Sequence, residues 1–356
     1  MSAPNMKSKA ISYALLSAAL FGISTPAAKL LLADIDQRIL AGLLYCGAGV
    51  GVALLRRLPY RLGFAIRAEE ATLTGSDWPW MGAATLAGGV AGPLLLMFGL
   101  AHAEAATASL LLTLEGVFTA AIAWFVFREP FDRRIALGMA LIVAGSLCLA
   151  WSGAPSLSGA LGPVAIAAAC LAWAVDNNLT RRVSLSDPLQ IVEIKGMVAG
   201  AVNLGIGLFA GASLPSIPLI GAASVVGFLG YGLSLGLFVL ALRHLGAART
   251  GAYFSTAPFL GAAVSVVALG EPLTMELAAG AALMGAGVWL HLTESHEHEH
   301  SHEAVEHSHS HVHDEHHRHG DHSDHENGQP HIHWHAHEPL LHAHPHMPDT
   351  HHRHDH

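Results

Sequence analysis

Residues 102–146 read HAEAATASLLLTLEGVFTAAIAWFVFREPFDRRIALGMALIVAGS, and residues 244–288 read HLGAARTGAYFSTAPFLGAAVSVVALGEPLTMELAAGAALMGAGV. At a constant offset of 142 they match at His102 and His244, at Glu129-Pro130 and Glu271-Pro272, at Gly138 and Gly280, and at Gly145 and Gly287. Each copy is a long apolar run, a Glu-Pro break and a second, Gly-rich apolar run. Further upstream the copies align at offset 152, which pairs Phe21 with Trp173 and Lys29 with Arg181. The ten-residue difference fits the longer polar stretch from Arg56 to Trp78. The chain therefore contains one unit twice.

The unit is a membrane unit. Of 356 residues, 52% are hydrophobic and only 13% charged, against about 25% charged in a soluble domain. The apolar residues fall into blocks of roughly 20, the length that crosses a bilayer core of about 30 Å. Ten spans are expected: Ile11–Leu32, Ile39–Leu55, Trp80–Leu100, Ala105–Phe127, Ile135–Trp151, Gly159–Leu179, Leu189–Ala210, Leu219–Leu242, Ala247–Leu269 and Glu276–His291. The fold class is all-α and polytopic. Residues 10–152 form the first five-helix repeat, 158–291 the second, and 292–356 a tail. An odd number of spans per repeat sets the two halves in opposite orientations. Inverted repeats of this kind mark secondary transporters, with the site at the repeat interface.

Lysine and arginine orient the bundle, because cytoplasmic loops carry the excess. With the N-terminus inside, Lys7, Lys9, Arg56, Arg57, Arg61, Arg67, Arg128, Arg133, Arg134, Arg181, Arg182, Arg243 and Arg249 collect on the cytoplasmic side. Only Lys29 and Arg38 fall on the other side, and Lys195 lies within a span. Ten spans return the C-terminus to the cytoplasm of the inner membrane. The first apolar run is longer than the 7–15 residues of a signal peptide's core, so it is read as a span.

Ionisable groups inside spans are costly and point to function. Glu115 lies near the middle of the fourth span, as a proton carrier or cation contact, or as a protonated structural carboxyl. Asp176, Asn177 and Asn178 interrupt the sixth span, and their repeat counterparts are Ser24, Thr25 and Pro26. Trp173, Asn177 and Thr180 share one helical face by their spacing. The alternative for this patch is a span end, with Asp176 paired to Arg181 or Lys195. Glu193 either faces the cavity or belongs to the span end, and Lys195 has the reach to snorkel to the surface. Tyr231, Tyr253 and Ser255 complete the substrate-contacting set. The glycine pairs Gly47/Gly51, Gly196/Gly200 and Gly232/Gly236 read as helix-packing motifs. Cys46, Cys148 and Cys170 sit in apolar runs and imply no disulfides. No nucleophile motif or HExxH occurs, and the basic residues form no nucleic-acid patch, so neither an enzyme nor a nucleic-acid binder is expected.

The tail is a different polymer. Residues 292–356 hold 24 histidines, 13 acids and two arginines, a net −11 with histidine neutral, whereas the rest of the chain is +2. Such a segment has too few apolar anchors for a core and is expected to be disordered. Imidazole is a common ligand for borderline divalent metals. His331, His333, His335 and His337 alternate, so an extended chain aligns them on one edge; His342, His344, His346, His351, His352 and His354 continue the supply. A divalent transition metal at the tail is the one inorganic ligand expected, and no cofactor is required by the spans. A pH-responsive tether and a low-complexity extension are the alternatives.

The two five-span units, each ending in a span, Glu-Pro and a Gly-rich last span, resemble the EamA family of the drug/metabolite transporter superfamily. ALFGISTPAAKLLL, from Ala19, and CLAWAVDNNLTRR, from Cys170, resemble the openings of its two repeats. The resemblance covers about residues 10–291 and implies fold and transporter class, leaving the substrate open. The family pattern often has proline after the fourth-span glutamate. Here that position is Gly116, while Pro258 is kept in the second repeat, so a proline-set kink is expected in one half only. The tail resembles the His-rich ends of some bacterial members. The expected function is transport of a small metabolite or cation, outward and coupled to protons. The alternatives are a dedicated Ni/Co/Zn exporter and a non-transporting membrane metal sensor. The expected partners are the lipid bilayer, the small-molecule or cation substrate and metal ions; a homodimer is left open.

Overall fold

The structure, a computed structural model, describes residues 3–57, 75–127, 133–150, 157–180, 187–245 and 247–292, and four segments of the tail, 296–302, 306–311, 331–336 and 340–346. Ten helices among the described residues are long and apolar enough to cross a membrane. They are α1 (Ser8–Leu31), α2 (Gln37–Arg57), α3 (Trp78–Ala101), α4 (Ala105–Val126), α5 (Arg133–Ala150), α6 (Ala160–Thr180), α7 (Pro188–Phe209), α8 (Ile217–Ala241), α9 (Arg249–Ala268) and α10 (Met275–Leu292). Helices are the only open-ended structure that satisfies every backbone group within lipid. Large side chains such as Phe209, Ile217, Val267 and Trp289 stay exposed, as lipid-facing residues should.

The packing obeys a pseudo-twofold axis. α2 packs on α7, α4 on α9 and α5 on α10, each pair being the same helix of the two repeats. The remaining contacts come in matched sets: α3 and α4 pack on α6 as α8 and α9 pack on α1, and α2 meets α8 as α7 meets α3. Glycines let the backbones approach. A Cβ on Gly49 would stand 2.5 Å from the Met197 amide nitrogen, and one on Gly196 would stand 2.6 Å from the Gly49 Cα.

Departures from regular helix also repeat. α3 contains a π-helical stretch, Thr85–Ala91, and α8 contains another, Phe228–Leu233. α4 breaks between Leu111 and Leu114, and α9 between Phe254 and Ala257. In α4 the break is a tight turn: the Thr113 amide and hydroxyl both donate to the Leu110 carbonyl, at 3.0 and 2.8 Å. In α9 the Thr256 amide and hydroxyl donate to the Tyr253 carbonyl, at 3.2 and 2.6 Å, just before Pro258. Both halves therefore break at the same place, before Pro258 in one half and without a proline in the other. Without proline at Gly116, a threonine hydroxyl competing for the backbone carbonyl accompanies the same break.

In the tail the structure forms four short strands where the composition predicts none: β1 (His296–His302), β2 (Glu306–His311), β3 (His331–Ala336) and β4 (Leu340–His346). β1 pairs antiparallel with β4, and β2 with β3. Strict alternation of histidine with other residues has the period of a strand, which is the physical reason the segment takes this form.

Candidate functional site

The break in α4 determines where Glu115 stands. Its lower half, Leu114–Phe127, starts immediately before Glu115, which lies in the first helical turn. The unpaired N–H groups and the positive end of the dipole at a helix start favour a carboxylate. Glu115 Oε1 accepts a 2.8 Å hydrogen bond from Asn177 Nδ2 on α6, so the contact crosses from one repeat to the other. The same amide lies 3.4 Å from Thr119 Oγ1, and Asn178 Nδ2 donates to the Ala174 carbonyl at 2.8 Å. Glu115, Gly116, Thr119, Ala120, Ala123, Asn177 and Asn178 line a cavity of about 420 Å³. The repeat equivalent of Glu115 is Ala257, so this carboxylate breaks the symmetry of the two halves.

Asp176, one residue away on α6, turns from this cavity. It pairs with Lys195 of α7, and Thr180 Oγ1 donates to its Oδ1 at 2.8 Å while Lys195 Nζ reaches Thr180 Oγ1 at 3.1 Å. Gly88 of α3 packs directly on the Asp176 carboxylate. At the equivalent place in the other half, a Cβ on Gly230 of α8 would stand 2.5 Å from Ser24 Cβ. Asp176 and Ser24 thus occupy matched positions against matched π-helical stretches.

Pro93 explains the wall beside them. It has no N–H, so the helix can offer neither an i+4 donor to the Gly89 carbonyl nor an i+5 donor to that of Gly88. Other helices supply donors. Trp173 Nε1 and Tyr45 Oη donate to the Gly88 carbonyl at 2.8 and 2.9 Å, and Asn203 Nδ2 donates to that of Gly89 at 3.0 Å. From Tyr45 an aromatic chain crosses to the other half. Its ring lies 5.9 Å from that of Tyr231, Tyr231 lies 5.9 Å from Phe21, and Phe21 lies 5.3 Å from Phe254. Ser24 donates to the Phe21 carbonyl at 2.6 Å, and Thr25 is buried beside it in α1.

Polar locks sit at both ends of the bundle. At one, Lys29 Nζ donates to the Leu100 and Ala103 carbonyls, at 2.7 and 2.8 Å, capping the C-terminus of α3. On the same side the Glu271 carboxylate accepts from the amides of Ala105 and Ala106, both at 2.7 Å. The Glu-Pro motif of the second repeat thereby caps α4 of the first. At the other end Arg56 bridges Glu193 and Asp187 of α7, the latter at 2.9 Å. Asp187 also caps α7 through the Leu189 amide.

Of the sequence-derived site residues, Glu115 and Asn177 meet at the cavity, Trp173 instead donates to the Gly88 carbonyl of α3, and Ser24 and Thr25 are buried in α1 with Tyr231 packed edge-on against Phe21 of the same helix. Asp176 takes the Lys195 partner. Glu193 lies in the arginine cluster at the span end. Tyr253 is half-buried in the N-terminal piece of α9, and its neighbour Phe254 joins the aromatic chain instead. Sequence reasoning passed over Tyr45 and Gly88. The signal was present: a tyrosine within a span needs a partner for its hydroxyl, and Gly88 and Gly89, five and four residues before Pro93, are the carbonyls left without a backbone donor. His337, His351, His352 and His354 lie outside the described residues. His331, His333, His335, His342, His344 and His346 are described as strand backbone only. Among the described residues no group of three or more His, Cys, Asp or Glu is placed to hold a metal.

A helical bundle of inverted repeats with a polar pocket between its halves is the architecture of secondary transporters. The chain belongs to the EamA-like transporter family, which it matches over residues 8–151 and 160–293. It is 29% identical over 284 residues to an uncharacterized transporter of Methanothermobacter thermautotrophicus, covering 76% of this chain and 82% of that one. Over 111 residues it is 39% identical to a probable 4-amino-4-deoxy-L-arabinose-phosphoundecaprenol flippase subunit ArnE of Pseudomonas paraeruginosa, covering 30% of this chain and 89% of that one. It is 27% identical over 205 residues to a probable amino-acid metabolite efflux pump of Salmonella typhimurium, covering 53% of this chain and 67% of that one. One crystal structure shares the fold with a TM-score of 0.58 at 18% identity, over 79% of this chain and 95% of the other. The chain is a multi-pass membrane protein of a transporter family.

Proposed function

We propose that the protein exports a small metabolite or cation across the inner membrane by alternating access, with proton movement through Glu115 as the coupling step. The observation that carries this is the Glu115–Asn177 hydrogen bond. It places a carboxylate in a cavity at the interface of two inverted halves, where rocking of one half against the other makes or breaks the contact. A carboxylate that alternately holds a proton and a cationic or donor-bearing substrate needs such a partner change. The amide, hydroxyl and alanine lining favours a small organic cation or amine over an anion. The chemistry is translocation, with no bond in the substrate made or broken. The lysine and arginine bias supports placing both ends of the chain in the cytoplasm, so the tail would meet cytosolic metal.

Glu115→Gln tests the coupling. Glutamine keeps the size and a carbonyl acceptor for Asn177 but carries no titratable proton. In vesicles bearing a pH gradient, the variant should insert normally and lose gradient-driven transport. Wild-type rates from the variant would exclude the coupling role. The substrate is found by screening a deletion strain and an overexpressor for sensitivity to amines, other metabolites and metal salts in parallel.

A second reading, a dedicated exporter of divalent metals, is favoured by the tail histidines. Metal-specific protection in that screen, lost when the tail is removed, would raise it above the first. The cross-repeat polar contacts speak against a mere membrane sensor, because an anchor has no use for them.

A further inference from the structure

The two repeats differ at one helix crossing, and the difference deepens the reading of the Glu115 cavity as a cation site, on which this inference rests. In the second repeat α1 crosses α9 on bare backbone. A Cβ on Gly22 would stand 2.4 Å from the Ala257 carbonyl oxygen, and one on Gly261 would stand 2.7 Å from the Gly22 carbonyl oxygen. The repeat matches Gly22 to Ala174 and Gly261 to Thr119. At the equivalent crossing, α6 on α4, both glycines are therefore replaced by residues with side chains, and Ala174 is buried. Small residues are what let membrane helices close to backbone contact. The first repeat has its cavity, lined by Glu115, Gly116, Thr119 and Asn177 among others, where the second has backbone against backbone.

Gly116 lies on this cavity, and a Cβ built on it would meet nothing within 4 Å. The usual reasons for a helical glycine do not apply. Packing does not require it, unlike Gly99 of α3, where a Cβ would stand 2.6 Å from Ile166 Cγ1. Backbone conformation does not require it either. The described glycines with positive φ are Gly211 and Gly270, whereas Gly116 belongs to the helix Leu114–Phe127. Glycine inside a helix is less favourable than alanine, so what the missing methyl supplies is room.

The chemistry around that room is one-sided. Asn177 holds Glu115 Oε1, and the second carboxylate oxygen accepts no hydrogen bond among the described residues. Gly116 and Ala120, one turn apart on α4, offer only apolar surface. A single open charge acceptor beside an apolar wall matches a cationic nitrogen that carries alkyl groups. A bare transition-metal ion needs three or four ligating side chains.

We propose that Gly116 is a specificity-determining residue. Glu115 Oε2 pairs with the substrate's ammonium nitrogen, and the space over the Gly116 Cα receives the alkyl groups on that nitrogen. Gly116 makes no polar contact with the substrate; it sets the largest group that fits. A side chain added there enters the substrate's space and not the protein's.

The experiment uses the full chain in detergent and isothermal titration with methylammonium, tetramethylammonium and tetraethylammonium chlorides as probes. The variants are Gly116→Ala, Gly116→Val, Glu115→Gln and Gly205→Ala. Gly205 of α7 also meets nothing within 4 Å and lies outside the cavity lining. One methylene in an apolar pocket changes discrimination by about 10–200-fold. Gly116→Ala should therefore weaken tetramethylammonium binding by roughly tenfold or more, with a larger loss for tetraethylammonium and for Gly116→Val. Methylammonium should bind nearly as before. Gly116→Ala should melt no lower than the wild type, since its methyl touches no protein atom. Gly205→Ala should bind all three probes as the wild type does, and Glu115→Gln should bind none. Gly116 variants that weaken all three cations equally, or none of them, while Glu115→Gln abolishes binding, overturn the role of Gly116 and leave the cation reading standing. Wild-type binding by Glu115→Gln, or a wild-type chain that binds none of the three, overturns the cation reading and the role of Gly116 with it.

Discussion

Gly138 packs on Gly287 so closely that a Cβ on Gly138 would stand 2.8 Å from the Gly287 carbonyl oxygen, and seven residues along, a Cβ on Gly145 would stand 2.9 Å from the Gly280 carbonyl. The repeat matches Gly138 to Gly280 and Gly145 to Gly287. The contact therefore maps onto itself when the halves are exchanged, as an isologous interface does. The glycines that the two copies share are the glycines that bind one copy to the other.

This seam gives a graded series. Gly287→Ala puts a Cβ 2.5 Å from the Gly138 carbonyl and 2.7 Å from Ile142 Cγ1, both held by α5. It should destabilise the protein by about 1–3 kcal/mol, the usual cost of overpacking. Gly280→Ala meets the end of the Leu149 side chain at 2.8 Å and backbone only at 3.3 Å, so its cost should be smaller. Gly251→Ala meets nothing within 4 Å and should be neutral or slightly stabilising. Thermal denaturation in detergent ranks the three; equal losses would remove the seam as the cause.

Lys195 and Asp176 form a largely buried pair, with side chains 14% and 12% exposed. Lys195→Met should leave Asp176 charged and unpaired at a cost of about 3–5 kcal/mol. Combining it with Asp176→Asn should recover most of that loss. A double variant as unstable as Lys195→Met alone would mean that lysine packing, not charge pairing, matters there.

Glu271 satisfies two amide donors at the start of α4, in the opposite repeat. Glu271→Ala should cost about 0.5–2 kcal/mol, the range for losing a helix cap. Glu271→Gln, with one acceptor oxygen in place of two, should fall between. Amide hydrogen exchange at Ala105 and Ala106 should accelerate in the order wild type, Gln, Ala. Unchanged protection in the Ala variant would show that the cap contributes nothing.

In the connection between α1 and α2, hydrogen bonding to the Arg38 guanidinium holds the Asp36 carboxyl below its ordinary value, with the Arg38 amide adding to it and partial burial opposing it. A carboxyl whose folded pKa is depressed stabilises the fold above its unfolded value, about 3.9. That contribution is lost as pH falls through the lower folded value. Asp36→Asn should therefore flatten a small part of the acid limb below about pH 4 and leave stability above it shifted by a constant. A wild-type acid profile in the variant would show that the pair contributes no pH dependence.

The sequence by itself determined the ten spans, the two repeats, their opposed orientation and the presence of Glu115 within a span. These follow from the period, length and composition of apolar runs, which lipid enforces residue by residue. It also contained the glycine equivalences, though not the contacts they make. Pairing Gly138 with Gly280 by alignment says that they are alike; only three-dimensional packing brings Gly138 to Gly287. The partners of buried polar groups were equally out of reach. Asp176 had two basic candidates, Arg181 nearby in sequence and Lys195 across a loop; Arg181 lies outside the described residues, and only the fold brings Lys195 onto the Asp176 carboxylate. Glu271 looked like part of a loop motif, and only the apposition of α9 and α4 made it a helix cap. In the tail, alternation was legible, but which histidine stands opposite which depends on strand register. Local pattern sets the elements because each residue meets lipid or water on its own. Contacts between elements depend on how rigid helices and strands fit together, which no short stretch of chain contains.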